Sequence, residues 1–168
     1  MIHVCSLSRL HATVEATGAR HVVTLLGMED HVPLPPAVQP GGYLRLHMHD
    51  ICEPMDGYLA PDADHVERLV DFVQSWNRTS PLVIHCYAGI SRSTAAAFTA
   101  VCALNPRRDE RAVAQALRRA SRTAFPNSRL VSLADDVLGR EGRMVAAIEA
   151  IGRGMPALEA APFRLELE

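Results

Sequence analysis

Short apolar runs alternate with longer amphipathic ones along the first half of the chain. The runs at residues 2–5, 21–26, 43–48 and 81–85 are brief and bounded by turn-forming or polar residues, a pattern that predicts buried strands. Between them, residues 6–17 read as a helix stopped by Gly18. Residues 64–76 read as the clearest helix of the chain, with Val66, Leu69, Val70, Val73 and Trp76 on one stripe. Asp64 and Glu67 have the spacing of a capping box, and Pro61 helps to mark the start. Beyond residue 90 the helical period takes over. It predicts an alanine-rich helix over 91–104 stopped by Asn105-Pro106, and an amphipathic one over 110–120 with Val113, Ala116, Leu117 and Ala120 inward. Helices over 128–138 and 141–151 follow, each ended by a glycine.

Strands alternating with helices imply a single α/β domain. Its central sheet, largely parallel and of about four or five strands, is flanked by helices, and the C-terminal half is helical. The expected domain covers residues 1–154, with 155–168 as a loose tail. Residues 33–42, rich in proline and glycine, are a surface loop too short to divide the chain.

Composition narrows the partners. A chain of 168 residues suits one core. A net charge of -2 supplies no field to draw it to nucleic acid or to an anionic membrane, so any bound anion must be captured by local geometry. The first ten residues lack the pattern of a secretory leader, and no apolar run approaches the ~20 residues needed to span a bilayer. Four scattered cysteines, Cys5, Cys52, Cys86 and Cys102, suit neither a disulfide framework nor a zinc site. The expectation is a cytoplasmic protein whose free thiols persist.

One of those thiols stands in an unusual setting. Residues 82–93 read Leu-Val-Ile-His-Cys-Tyr-Ala-Gly-Ile-Ser-Arg-Ser: an apolar strand, a cysteine, a short loop with a glycine, then an arginine opening a helix. Helix N-termini expose unpaired N–H groups and attract anions. The main chain of Tyr87, Ala88, Gly89, Ile90, Ser91 and Arg92 can curl around oxyanion oxygens, and Gly89 permits the backbone angles of such a curl. Arg92 adds a planar, permanently charged fork matched to two phosphate oxygens. The same positive surroundings favour the ionised, nucleophilic form of Cys86. Cysteine near the end of a buried strand is most often a small core residue. His85, Gly89 and Arg92 around Cys86 make that reading the weaker one.

His85-Cys86, five residues, then Arg92-Ser93 resembles the phosphate-binding loop of the cysteine-dependent protein tyrosine phosphatase superfamily. The mid-chain position of the motif and the length of the chain resemble the compact dual-specificity type and small bacterial tyrosine phosphatase-like proteins. The resemblance implies a phosphotyrosine protein phosphatase-like fold. It also implies a phosphate monoester hydrolase, of the protein-tyrosine or dual-specificity kind, that needs no metal or cofactor. By the same resemblance, Cys86 is the nucleophile that forms a phospho-cysteine intermediate and Arg92 clamps the phosphate. His85 orients the loop, and Ser93 hydrogen-bonds the sulfur.

A general acid must protonate a poor leaving group. Asp50, directly after the third strand, is the favoured candidate, with Asp56 in the next loop as the alternative. Asn127, in a Pro-Asn pair, is a candidate support for the loop, or simply a helix cap. Lysine and arginine are absent from residues 87–91, which speaks against a polyphosphorylated lipid. Tyr87 and Ile90 could wall an aromatic substrate. The expected partner is therefore a phosphorylated protein or a small phosphomonoester, with no nucleic acid and no membrane; the sequence carries no signature of an oligomeric state. A catalytically silent phosphopeptide-binding module of the same fold is the competing reading. His47 and His49 have the spacing of a metal pair but no third ligand at suitable spacing. Cys52, near the candidate acid, is either inert or a partner for Cys86 under oxidation.

Overall fold

The computed structural model describes residues 1–167. Five strands form one sheet: β1 Ile2–Ser6, β2 His21–Leu26, β3 Tyr43–His47, β4 Leu82–Cys86 and β5 Phe163–Leu165, in the order β3-β2-β4-β1-β5. Strands β1 to β4 are mutually parallel, and β5 pairs antiparallel with β1. Among the described residues, a short 3-10 turn at Leu7–Arg9 and six α-helices accompany the sheet: α1 Leu10–Thr17, α2 Ala63–Ser75, α3 Arg92–Leu104, α4 Glu110–Ala120, α5 Ser128–Val137 and α6 Arg143–Ile151. Among the described residues, no helix is long and apolar enough to cross a membrane.

The period-2 alternation of the strands sorts their side chains between two cores. On one face Cys5, Val22, Leu26 and Val83 pack under Leu10 and Val14 of α1. On the other, Ile2, Val4, Val23, Leu25, Leu82 and Ile84 meet the helical layer, in which α3 lies buried along nearly its whole length. Its alanines 95, 96, 97, 100 and 103 carry little bulk, so the helix can sit close against the sheet. Cys86 continues the Leu82–Ile84 row and so faces the helical layer. His85 falls on the opposite side, beside Thr24, its cross-strand partner.

Three expectations need correction. Helix α2 is capped by Asp62 rather than by Asp64. The Asp62 carboxylate accepts from the His65 amide at 3.0 Å, and the Asp62 amide donates back to His65 Nδ1 at 3.1 Å. A histidine thus fills the place that Glu67 was expected to take, and the motif begins two residues earlier. In α4 the third inward position is Ala114; Ala116 is half-buried and Ala120 exposed. Residues 155–167 are no loose tail, because β5 extends the sheet past β1 and Ala160 is buried.

Candidate active site

The site lies where β4 ends and α3 begins, at the C-terminal edge of the parallel strands. Open α/β sheets leave a crevice there for ligands. Cys86 is the last residue of β4 and Arg92 the first of α3, so five residues must reverse the chain between them. Gly89 has φ +74, and a Cβ there would lie 2.9 Å from main-chain atoms of both Cys5 and Ser6. Glycine is needed twice over, for the dihedral and for the close approach to β1.

The loop carbonyls are turned outward and tied to separate parts of the scaffold. Tyr87 O accepts from Leu7 N at 3.0 Å, Ala88 O from Ala160 N at 2.9 Å and Ile90 O from Phe125 N at 2.9 Å. Ser91 O accepts from Ala95 N at 3.0 Å and Asn127 N at 3.3 Å. The amides of residues 88–92 have no protein acceptor among the described residues. Ser91 does not cap α3 with its own side chain; its hydroxyl donates to Asp50 Oδ1 instead, at 2.7 Å. The result is a cup of free N–H groups at a helix N-terminus, which suits an anion.

Arg92 is buried, with 8% of its surface exposed. Its Nη1 donates to Met48 O at 2.9 Å, fixing the guanidinium against the end of β3. Its Nε is sealed from solvent and has no partner among the described residues. A buried, charged N–H without an acceptor is costly, and an oxyanion in the cup would satisfy it.

Cys86 is itself almost fully buried at the floor of the cleft, and its Sγ lies 3.1 Å from Ser93 Oγ. Burial pushes the Cys5 and Cys102 thiols up to about 12, so both are protonated core residues. His85 is wholly buried, and burial holds its pKa down at about 4, so the ring is neutral at pH 7. Its Nε2 lies 2.7 Å from Thr24 Oγ1. Its Nδ1 lies beside the Cys86 main chain without an aligned partner. From the far side of the sheet, the ring thus fixes the strand end that carries Cys86.

Of the two candidate acids, the structure brings only Asp50 to the cleft. Asp50 Oδ1 accepts from Ser91 Oγ and, at 2.9 Å, from Asn127 Nδ2. Its Oδ2 has no hydrogen-bond partner among the described residues. Asp56 is exposed in the 49–59 loop, outside the cleft lining. Asn127 both caps and braces. Its Oδ1 accepts from Leu130 N at 3.0 Å, while Nδ2 also reaches Ile51 O at 3.3 Å. One residue thereby ties α5, the catalytic-loop carbonyl at Ser91 and the Asp50 segment together.

The cleft has a volume of about 720 Å³, and its apolar rim includes Tyr87, Ile90, Phe125, Pro126, Ile148 and Leu158. Sequence reading foresaw Tyr87 and Ile90. It missed Phe125, Ile148 and Leu158, which reach the rim from segments far from the loop in sequence. Arg153, which also lines the cleft, stacks over the Phe125 ring at 5.1 Å. Cys52 lines the same cleft and accepts from Ser128 Oγ at 3.2 Å. His47 and His49 are engaged separately: Arg45 Nε donates to His47, and His49 pairs with Glu29 at 3.3 Å.

With that geometry in place, comparison with known proteins points the same way. The family model described as protein-tyrosine phosphatase matches residues 54–124, a span that contains the whole loop. No curated protein matches the chain in sequence. Several solved structures share the fold. The PTP-2 phosphatase of Cydia pomonella is 24% identical, with 80% of this chain and 84% of that one covered and a TM-score of 0.62. Human DUSP28 is 19% identical over 83% of this chain and 89% of its own, with a TM-score of 0.64. The human tyrosine phosphatase-like serine/threonine/tyrosine-interacting protein is 16% identical over 83% and 92%, with a TM-score of 0.65. The chain thus resembles the cysteine-dependent protein tyrosine phosphatase superfamily, in its compact dual-specificity-like branch, in motif and in fold.

Proposed function

We propose that this chain, with the fold of the compact dual-specificity phosphatases, hydrolyses phosphate monoesters of the phosphotyrosine type through a covalent phospho-cysteine. The observation that carries the reading is the Arg92 guanidinium. It is buried and anchored on one side only, and it borders a cup of unpaired amides with Cys86 at its floor.

In the first step the Cys86 thiolate attacks phosphorus in line with the ester oxygen. The S–P bond forms as the P–O bond breaks, and the proton on Asp50 passes to the departing oxygen. The loop amides and Arg92 hold the equatorial oxygens, whose charge they stabilise without reorganising. In the second step water attacks the phospho-cysteine and gives its proton to the Asp50 carboxylate. The S–P bond breaks, and the Ser93 hydroxyl, in contact with the sulfur, hydrogen-bonds the leaving thiolate. Asn127 and Ser91 hold Asp50 by one oxygen and leave the other for the proton.

The rim supports an aryl phosphate over a polyphosphorylated lipid. Tyr87 and Phe125 present exposed aromatic surface, and residues 87–91 offer no cation for a second phosphate.

The test is turnover of p-nitrophenyl phosphate in the presence of EDTA, with inhibition by vanadate. Folded, reduced protein that binds vanadate without turning over substrate would instead support the silent phosphopeptide-binding module.

A further inference from the structure

The C-terminal segment does more than close the sheet. A trans peptide points its C=O and N–H in opposite directions. Holding one carbonyl outward therefore aims the next amide inward. By that rule Leu7 aims the amide of Ala88, Phe125 that of Ser91, and Asn127 with Ala95 that of Arg92. Two planes remain: Gly89–Ile90, whose carbonyl has no main-chain partner among the described residues, and Ala88–Gly89, which glycine leaves free to rotate unless something holds it. Its carbonyl is held by Ala160 N at 2.9 Å, a bond that spans 72 residues of sequence.

Residue 160 is in turn fastened on both sides. Ahead of it, the Glu159 carboxylate receives the hydroxyls of Ser6 and Ser8, at the end of β1 and just beyond it. Those two bonds hold the Glu159 carboxyl below the usual carboxylate range, so it is ionised at pH 7. Earlier still, Met155 N donates to Arg122 O at 2.9 Å, and a Cβ on Gly154 would meet the carbonyl of Ala124 at 2.5 Å. After residue 160, β5 pairs with β1 in the register Val4↔Phe163 and Ile2↔Leu165. A segment expected to be loose is pinned at each end, with its one buried small residue against the catalytic loop.

We propose that residues 159 and 160 form a positioning strap that keeps the Gly89 amide aimed at the bound oxyanion, so that these two residues tune transition-state stabilisation from outside the cleft lining. The inference rests on the phosphatase reading above. Glu159 locates the strap against β1, and Ala160 delivers the donor. Release of that donor lets the Ala88–Gly89 plane turn and removes one of the amides from the cup. Ground-state substrate binding, shared among Arg92 and the other amides, changes less than the rate.

The experiment compares Ala160→Pro, which removes the donor, with Ala160→Gly, which keeps it, and adds Glu159→Ala. Each protein is assayed for kcat and KM on p-nitrophenyl phosphate, for vanadate inhibition and for Tm. Loss of one oxyanion donor typically costs ~10²-fold or more in rate. Since a flipped plane is recovered part of the time, the expected fall in kcat for Ala160→Pro is ~10- to 100-fold. Vanadate affinity should drop by about ten-fold with KM within about three-fold, and Ala160→Gly should stay within about three-fold of the parent in every constant. Glu159→Ala should weaken vanadate by about three-fold or more.

A folded Ala160→Pro protein with parental kcat and vanadate affinity overturns the strap. If that variant does not fold, Glu159→Ala decides: a lower Tm with unchanged vanadate affinity reduces the segment to a structural role and likewise overturns it. The parental protein separates this failure from failure of the enzyme reading, because parental protein that neither binds vanadate nor turns over substrate sinks the phosphatase assignment itself.

Discussion

Two arginines are buried in this protein to nearly the same depth, Arg92 at 8% and Arg140 at 6% exposed, and they are treated in opposite ways. Arg140 is closed off. Its Nη1 meets Glu110 Oε1 at 2.7 Å, its Nη2 meets Cys102 O at 2.8 Å, and Arg143 adds a second cation to the same carboxylate at 3.2 Å. No buried nitrogen of Arg140 lacks a partner among the described residues. Arg92 has one anchor and one orphan, and it faces a cup of amides in the same condition. A buried charge that is fully paired holds helices together; one that is left half-paired beside a buried thiol and a cup of free amides is held ready for an anion. Burial alone would not have separated the two.

Substitutions should divide along this line. The largest effect is expected at Cys86. Cys86→Ser should abolish turnover while the cup, intact, still binds inorganic phosphate; isothermal titration beside the assay checks both halves. Next comes the pair of arginines. Arg92→Ala should lower kcat/KM by ~10³-fold or more, from loss of charge-assisted bonds to the transferred group. Its Tm should be unchanged or higher, because an unsatisfied buried N–H is removed. Arg140→Ala should do the reverse, costing on the order of 3 kcal/mol of stability by leaving the buried Glu110 carboxylate to the half-exposed Arg143 alone, with near-parental kcat for the folded fraction. Denaturant unfolding run in parallel with kinetics measures that reversal, and equal stability losses for both variants would break the distinction.

Asp50→Asn is expected to slow phenyl phosphate by ~10²- to 10⁴-fold and an activated ester with a low-pKa leaving group far less. Asp56→Asn should leave both rates near parental. A leaving-group series distinguishes the two residues, and the opposite pattern would transfer the acid role to Asp56.

The smallest effect concerns pH and stability. The folded-state pKa of His85 is lowered from 6.5 to about 4 by burial, so between those values the unfolded chain binds the extra proton and the folded protein does not. Stability tied to His85 is therefore complete above pH 6.5 and is lost as pH falls toward 4, by an amount on the order of 2–3 kcal/mol. Burial pushes the Glu110 carboxyl up, but its bonds to its own amide, Arg140 and Arg143 outweigh that and depress it. Its contribution is lost only at lower pH, as the solution falls through the acid range below 4.5. On acidification the contribution of His85 should thus be lost before that of the Arg140–Glu110 network. Urea melts between pH 7 and pH 4 test this order, and a His85→Asn variant should flatten the upper part of the profile.

What could be read from sequence was local. The strand, cysteine, glycine, arginine and helix of residues 82–93 sit within one stretch, and each has a side-chain or dihedral reason to be there. A candidate acid at a strand end was legible too, and Asp50 was favoured over Asp56 on that ground. What the sequence did not show is that Ser91 and Asn127 reach across to Asp50 from elsewhere in the fold. The Arg140–Glu110 pair spans 30 residues and gives no periodic signal. The C-terminal segment was misread for a related reason. Its role is carried by main-chain bonds and a three-residue strand, which leave almost no mark on residue choice. Histidine as the reciprocal partner in the α2 cap likewise escaped a pattern written for glutamate.

The central claim is that a phosphoryl group passes through Cys86. The direct measurement is mass spectrometry of protein quenched in acid during turnover of p-nitrophenyl phosphate, using Ser93→Ala to slow breakdown of the intermediate. The account predicts a gain of one HPO3 unit on the peptide that carries Cys86, absent from Cys86→Ser. Turnover with no such adduct, or with the adduct on another residue, would contradict it.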